Sequence, residues 1–141
     1  MMRKFVGTFV EIGLNFCAMK NKKKIKWFTR PQPGNYPAAK SYLDLIYDEA
    51  TSSAMISKLK RASLTEFKAK DIFRTSGLSL LGVSNSHVAK DRKKIKKEFR
   101  LSPLLLVRDT ANGKVIIADG YHRMCAVYSF DEDAVLPCKI I

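Results

Sequence analysis

Apolar residues change their rhythm along this chain, and each rhythm predicts an element. From Ala38 to Ala62, Tyr42, Leu45, Ile46, Met55, Ile56 and Leu59 recur near helical spacing with no Gly or Pro between them. That pattern predicts a packing helix, which Thr51-Ser52-Ser53 divides in two. Phe67 to Phe73 is mixed in character. Leu78 to Leu81, bracketed by Gly77 and Gly82, predicts a loop with a short turn of helix. Ser84-Asn85-Ser86 offers an N-cap for a helix over His87–Arg100, whose narrow apolar side is Val88, Ile95 and Phe99. Two β-branched or aliphatic runs follow, Leu104–Val107 and Lys114–Ala118. They are joined by Asp109-Thr110-Ala111-Asn112-Gly113, in which Asn-Gly is a favoured hairpin pair. Tyr121–Tyr128 reads as a helix with Met124, Cys125, Val127 and Tyr128 available for packing. Val135–Ile141 reads as a closing strand that pairs on one side only at Pro137, because proline has no amide hydrogen to donate.

The resulting order is helix, basic helix, strand, turn, strand, helix, strand. It predicts an α+β (α/β) fold, a small mixed β-sheet flanked by helices. Residues 1–37 are expected to form a basic N-terminal extension or arm, and 38–141 the domain. Pro31, Pro33, Gly34 and Pro37 argue against a regular helix in the arm. Trp27 and Phe28 either plug an edge of the core or, beside the lysines, touch nucleic acid. Residues 1–19 look like a weak signal peptide, but Glu11 interrupts the run and no small-residue cleavage pattern follows. They are expected to be an amphipathic extension, with Met19 as an alternative start and no stable membrane insertion.

A chain of 141 residues with 46% hydrophobic residues can bury a core of its own. Its 26 Lys and Arg outnumber 13 Asp and Glu, for a formal charge of +13 that favours anionic partners such as nucleotides or nucleic acids. Three cysteines without a CxxC spacing speak against a disulfide framework or zinc site and fit a cytoplasmic location.

The chemistry gathers where Val115-Ile116-Ile117-Ala118 runs through Asp119-Gly120 into a helix. Gly120 permits a tight turn and a positive φ. The helix start offers free N–H groups, which favour an anion. His122 and Arg123 sit in that first turn, where the helix dipole disfavours cations unless an anion is bound. Upstream, His87, Lys90 and Lys94 share one face of the basic helix, either to hold phosphates or simply to be solvated.

The succession from Leu101-Ser102-Pro103 through IIADGYHRMCAVY to VLPCKII resembles the ParB/sulfiredoxin superfamily, with coverage of about 64–141. The resemblance implies a phosphate-binding turn made by Gly120, Tyr121, His122 and Arg123, with His87, Lys90 and Lys94 facing a nucleotide. Arg123 is the leading phosphate ligand, because guanidinium can grip phosphate oxygens bidentately. His122 and Asp119 are the candidate catalytic groups. Asp119 could orient Arg123, bind a metal, act as a base, or merely cap the helix. ATP, ADP or CTP with Mg2+ are the implied cofactors. Sulfiredoxin-type sulfinic acid reduction is not expected, because Tyr121 stands where those enzymes carry a nucleophilic cysteine. A full partition protein, with helix-turn-helix and dimerisation domains after this one, is not expected. The expectation is a nucleotide- or phosphate-binding protein, extending to a phosphotransferase or nucleotide hydrolase. The alternatives are a non-catalytic nucleic-acid-binding module, or nuclease-like accessory protein, using the same basic cleft, and a member whose site is vestigial.

Overall fold

The computed structural model describes residues 24–141. Within them run α1 (Asn35–Leu43), α2 (Glu49–Arg61), β1 (Thr65–Lys68), α3 (Ala69–Ser76), α4 (Ser86–Lys96), β2 (Leu104–Asp109), β3 (Lys114–Asp119), α5 (Tyr121–Phe130) and β4 (Val135–Ile140). The four strands make one mixed sheet in the order β1-β4-β2-β3, in which β2 and β4 are parallel and the other pairs antiparallel. The fold is therefore α+β. The reading of residues 1–19 lies outside the described residues.

Both faces of the sheet are covered, which explains the uninterrupted apolar run of β2. Leu104 and Leu106 point into one cluster with Ile72 of α3, Val88 and Ile95 of α4, and Met124 and Val127 of α5. Leu105 and Val107 point into another with Ala39 and Leu43 of α1 and Ile56 and Leu59 of α2. A strand whose alternate side chains enter two cores needs no polar position. Pro137 pairs with Glu66 of β1, and the ladder to β2 begins only at Cys138, so the proline is bonded on one side as expected.

Several local expectations need correction. Pro37 lies inside α1, at its third residue, where the helix does not yet need an amide donor; the first bond back four residues is Ala38 N–H to the Gly34 carbonyl at 3.4 Å. The break between the first helices is at Asp44–Asp48, not Thr51–Ser53. Asp48 caps α2 by accepting from the Thr51 amide at 2.7 Å, while the buried Ser52 hydroxyl donates to Asp44. Leu45 and Ile46, expected to pack, are exposed in that break. β1 was not anticipated, and residues 77–85 form a loop without the expected helical turn. Helix α4 stops at Lys96, and Phe99 is exposed rather than part of its apolar side.

Residues 24–34 lie along the domain. Trp27 forms a parallel bridge with Leu101 and packs, with Ile25, against the larger core cluster. No helix among the described residues is long and apolar enough to cross a membrane.

Candidate functional site

The site is built where β3 passes into α5 beneath the first turns of α4. β3 loses register with β2 between Leu105 and Leu106, so a bulge falls at Ala118 just before Asp119. Such an irregularity bends the strand and re-aims the residues after it. Gly120 follows at φ +111° and starts α5 with no side-chain cap. A β-carbon there would lie 2.6 Å from Leu104 Cγ and 3.0 Å from Arg123 Nη2, so glycine is required for space as well as for conformation. The amides of Tyr121, His122 and Arg123 therefore begin the helix without intrahelical acceptors.

On the facing element, Asn85 caps α4 by accepting from the amides of His87 at 2.9 Å and Val88 at 3.1 Å. The cap fixes where α4 begins, and its apolar residues set the face: Val88 and Ile95 enter the core, while His87, Lys90, Asp91 and Lys94 line the side of the β3–α5 turn. Together with Asp119, Gly120, Tyr121, His122 and Arg123 they line a cavity of about 210 Å3. Every residue that the sequence singled out for this site is thus in one place.

Their contacts divide the roles. Arg123 Nη2 donates to Asp119 Oδ2 at 2.7 Å, across one turn, and lies 3.5 Å from the Pro103 carbonyl oxygen. Both side chains are mostly buried, and Arg123 Nε is buried without a hydrogen-bond partner. Among the contacts open to Asp119, the one present is this ion pair with Arg123. Tyr121 donates its hydroxyl to the Ser79 carbonyl, which ties the 77–85 loop to the start of α5. The His87 and His122 rings lie 4.8 Å apart between centroids, tilted by 38°. Burial lowers the His122 pKa below the ordinary imidazole value; His87 and Arg123 push the same way and Asp91 opposes them.

Asp91 is the site residue that sequence reasoning missed. Burial raises its pKa, and the neighbouring Lys94, Arg123, His122 and His87 hold the rise back. Its position four residues after His87 and three before Lys94 was the available signal, hidden by the surrounding lysines. Cys125 is buried in the core, and burial raises its thiol pKa, consistent with a packing role. Among the described residues no three His, Cys, Asp or Glu side chains gather to hold a metal ion.

Compared with known proteins, the chain matches no family model, no curated protein and no solved structure.

Proposed function

We propose that this protein binds phosphate groups of nucleotides in the cavity between α4 and the start of α5, as a relative of the ParB/sulfiredoxin superfamily. One observation carries the reading. His87, Lys90 and Lys94 from one helix converge with His122, Arg123 and an uncapped helix N-terminus from another on a single small cavity. Placing cations at the positive end of a helix is unfavourable on its own, and a bound anion reverses the sign.

In this reading Arg123 and the lysines hold phosphate oxygens, and the first-turn amides of α5 add neutral donors. Asp119 acts through Arg123 by fixing its guanidinium. His122, neutral at pH 7 because its pKa is lowered, is the group able to accept a proton from an attacking water or hydroxyl. Asp91 is the remaining carboxylate in the cavity, and the one that a Mg2+ ion arriving with ATP, ADP or CTP would meet. Phosphoryl transfer or hydrolysis in the cytoplasm is the activity that fits these roles.

The test is a thermal-shift panel of ATP, ADP, CTP, GTP and inorganic phosphate, with and without Mg2+, on wild type and Arg123→Ala. Wild type should be stabilised by at least one of them. Arg123→Ala should weaken that binding by about 1.5–3 kcal/mol, the range for hydrogen bonds to charged groups. Absence of any shift in the wild type would remove the anion-site reading.

A further inference from the structure

A second and larger cavity, of about 560 Å3, shares Lys94 with the anion pocket. Its walls include Lys26, Phe28, Lys94, Glu98, Phe99 and Arg100. One wall is the chain before α1. It is held by backbone bonds from Phe28 N–H to the Leu101 carbonyl, at 2.8 Å, and from Leu101 N–H to the Lys26 carbonyl, at 2.9 Å. The other wall is the end of α4. There Glu98 adopts φ +61°, a left-handed conformation uncommon outside glycine. Glu98 N–H bonds the Ile95 carbonyl at 3.0 Å and Phe99 N–H the Lys94 carbonyl at 2.9 Å. This is the double closure of a Schellman end, in which an apolar residue after the left-handed position usually packs back on the helix. Here the residue one turn back is Lys94, and Phe99 stays 57% exposed at the rim of the cavity.

We infer that this groove receives a segment of single-stranded nucleic acid, with a base stacked on Phe99 and a neighbouring phosphate in the pocket around Arg123. The inference rests on the anion-site reading and specifies its ligand. Alternating bases and phosphates match a track that alternates aromatic rings with cations. Lys93 and Lys96 are exposed along the same helix, and Lys97 just past its end, and they extend the positive surface beyond the pocket. The acid in the groove does not oppose a phosphate backbone, because Lys26 Nζ lies 3.1 Å from Glu98 Oε1. A single strand fits where a duplex does not, because only unpaired bases expose a face to a protein ring.

Fluorescence anisotropy on the full chain tests this, with labelled oligothymidylate and oligouridylate of roughly ten nucleotides. Thymidine monophosphate, inorganic phosphate and a duplex of the same length serve as competitors. The strand should bind more tightly than the mononucleotide or the duplex. Phe99→Ala should weaken strand binding about 5- to 150-fold, the equivalent of one base–aromatic stack, and leave phosphate binding unchanged. Phe99→Trp should retain strand binding, and Arg123→Ala should weaken both ligands. Phe99 is exposed, so the variants should fold, and a thermal melt checks that they do. A strand that binds no better than the mononucleotide or duplex, or that ignores Phe99→Ala, overturns the inference. If Arg123-dependent phosphate binding survives that result, the anion site stands alone; if phosphate binding is absent too, both readings fall.

Discussion

Replacing Gly120 with alanine adds one methyl group, and the structure says where it must go. At φ +111° the backbone is in a region that L-residues rarely adopt, and such strain costs about 1–3 kcal/mol. The new carbon would also lie 2.6 Å from Cγ and 3.1 Å from Cδ1 of Leu104, which is fully buried between β-sheet and helices and has no free direction to move. Forcing a methyl into a packed core costs about 1–3 kcal/mol more. The expected loss is therefore about 2–6 kcal/mol, or about 6–18 °C in Tm for a chain of this size. Gly113→Ala is the matched control, because Gly113 also has a positive φ, +65°, but a β-carbon there meets nothing within 4 Å. Urea denaturation of both variants should show the same m-value as wild type, with Gly120→Ala losing at least about 1 kcal/mol more than Gly113→Ala. Equal losses would refute the claim that Gly120 is needed for space, and a loss below about 0.5 kcal/mol in both would refute the conformational argument as well.

Two further outcomes follow from the ion pair and the histidine. Asp119→Asn should lower stability by about 1–3 kcal/mol, since Arg123 loses a charged acceptor inside the fold, and should weaken phosphate binding, because the guanidinium is no longer held in place; unchanged or tighter binding in isothermal titration would remove the orienting role of Asp119. The lowered pKa of His122 means that the folded protein binds this proton less readily than the unfolded chain. Its contribution to stability is thus intact above about pH 6.5 and declines as the pH falls through that value towards the folded pKa. His122→Asn should flatten that decline in urea titrations from about pH 7.5 to 5.5. The neighbouring Asp91, raised by burial, acts oppositely at lower pH, where protonation relieves its cost. An identical slope in wild type and variant would remove the assignment.

What could be read from the sequence followed local chemistry. The hairpin turn before Lys114 and the Asn85 cap each depend on a few adjacent residues, and both appear where expected. So does the positive φ of Gly120. β1 was invisible because Thr65-Glu66-Phe67-Lys68 is a four-residue edge strand with only Phe67 partly covered, and its partner lies far along the chain. Pro37 misled because a proline costs no hydrogen bond in the first turn of a helix. Asp91 was obscured because an acid among lysines looks solvated until α5 is packed over it. Phe99 followed the helical period of Val88 and Ile95, but the left-handed residue Glu98 ends that period one position earlier.

The position of β4 has a consequence for the order in which this protein takes shape. It is the last strand in the chain and an inner one in the sheet, and it alone joins β1 to β2. Thr65 therefore waits for Cys138, roughly seventy residues further on, before it has a partner, and closing so long a loop carries a large entropic cost. The β2–β3 hairpin and the α4–α5 packing that frame the anion cavity use nearer neighbours. On this ordering the cavity belongs to the part of the molecule that can organise first, and the insertion of β4 then joins β1 to it.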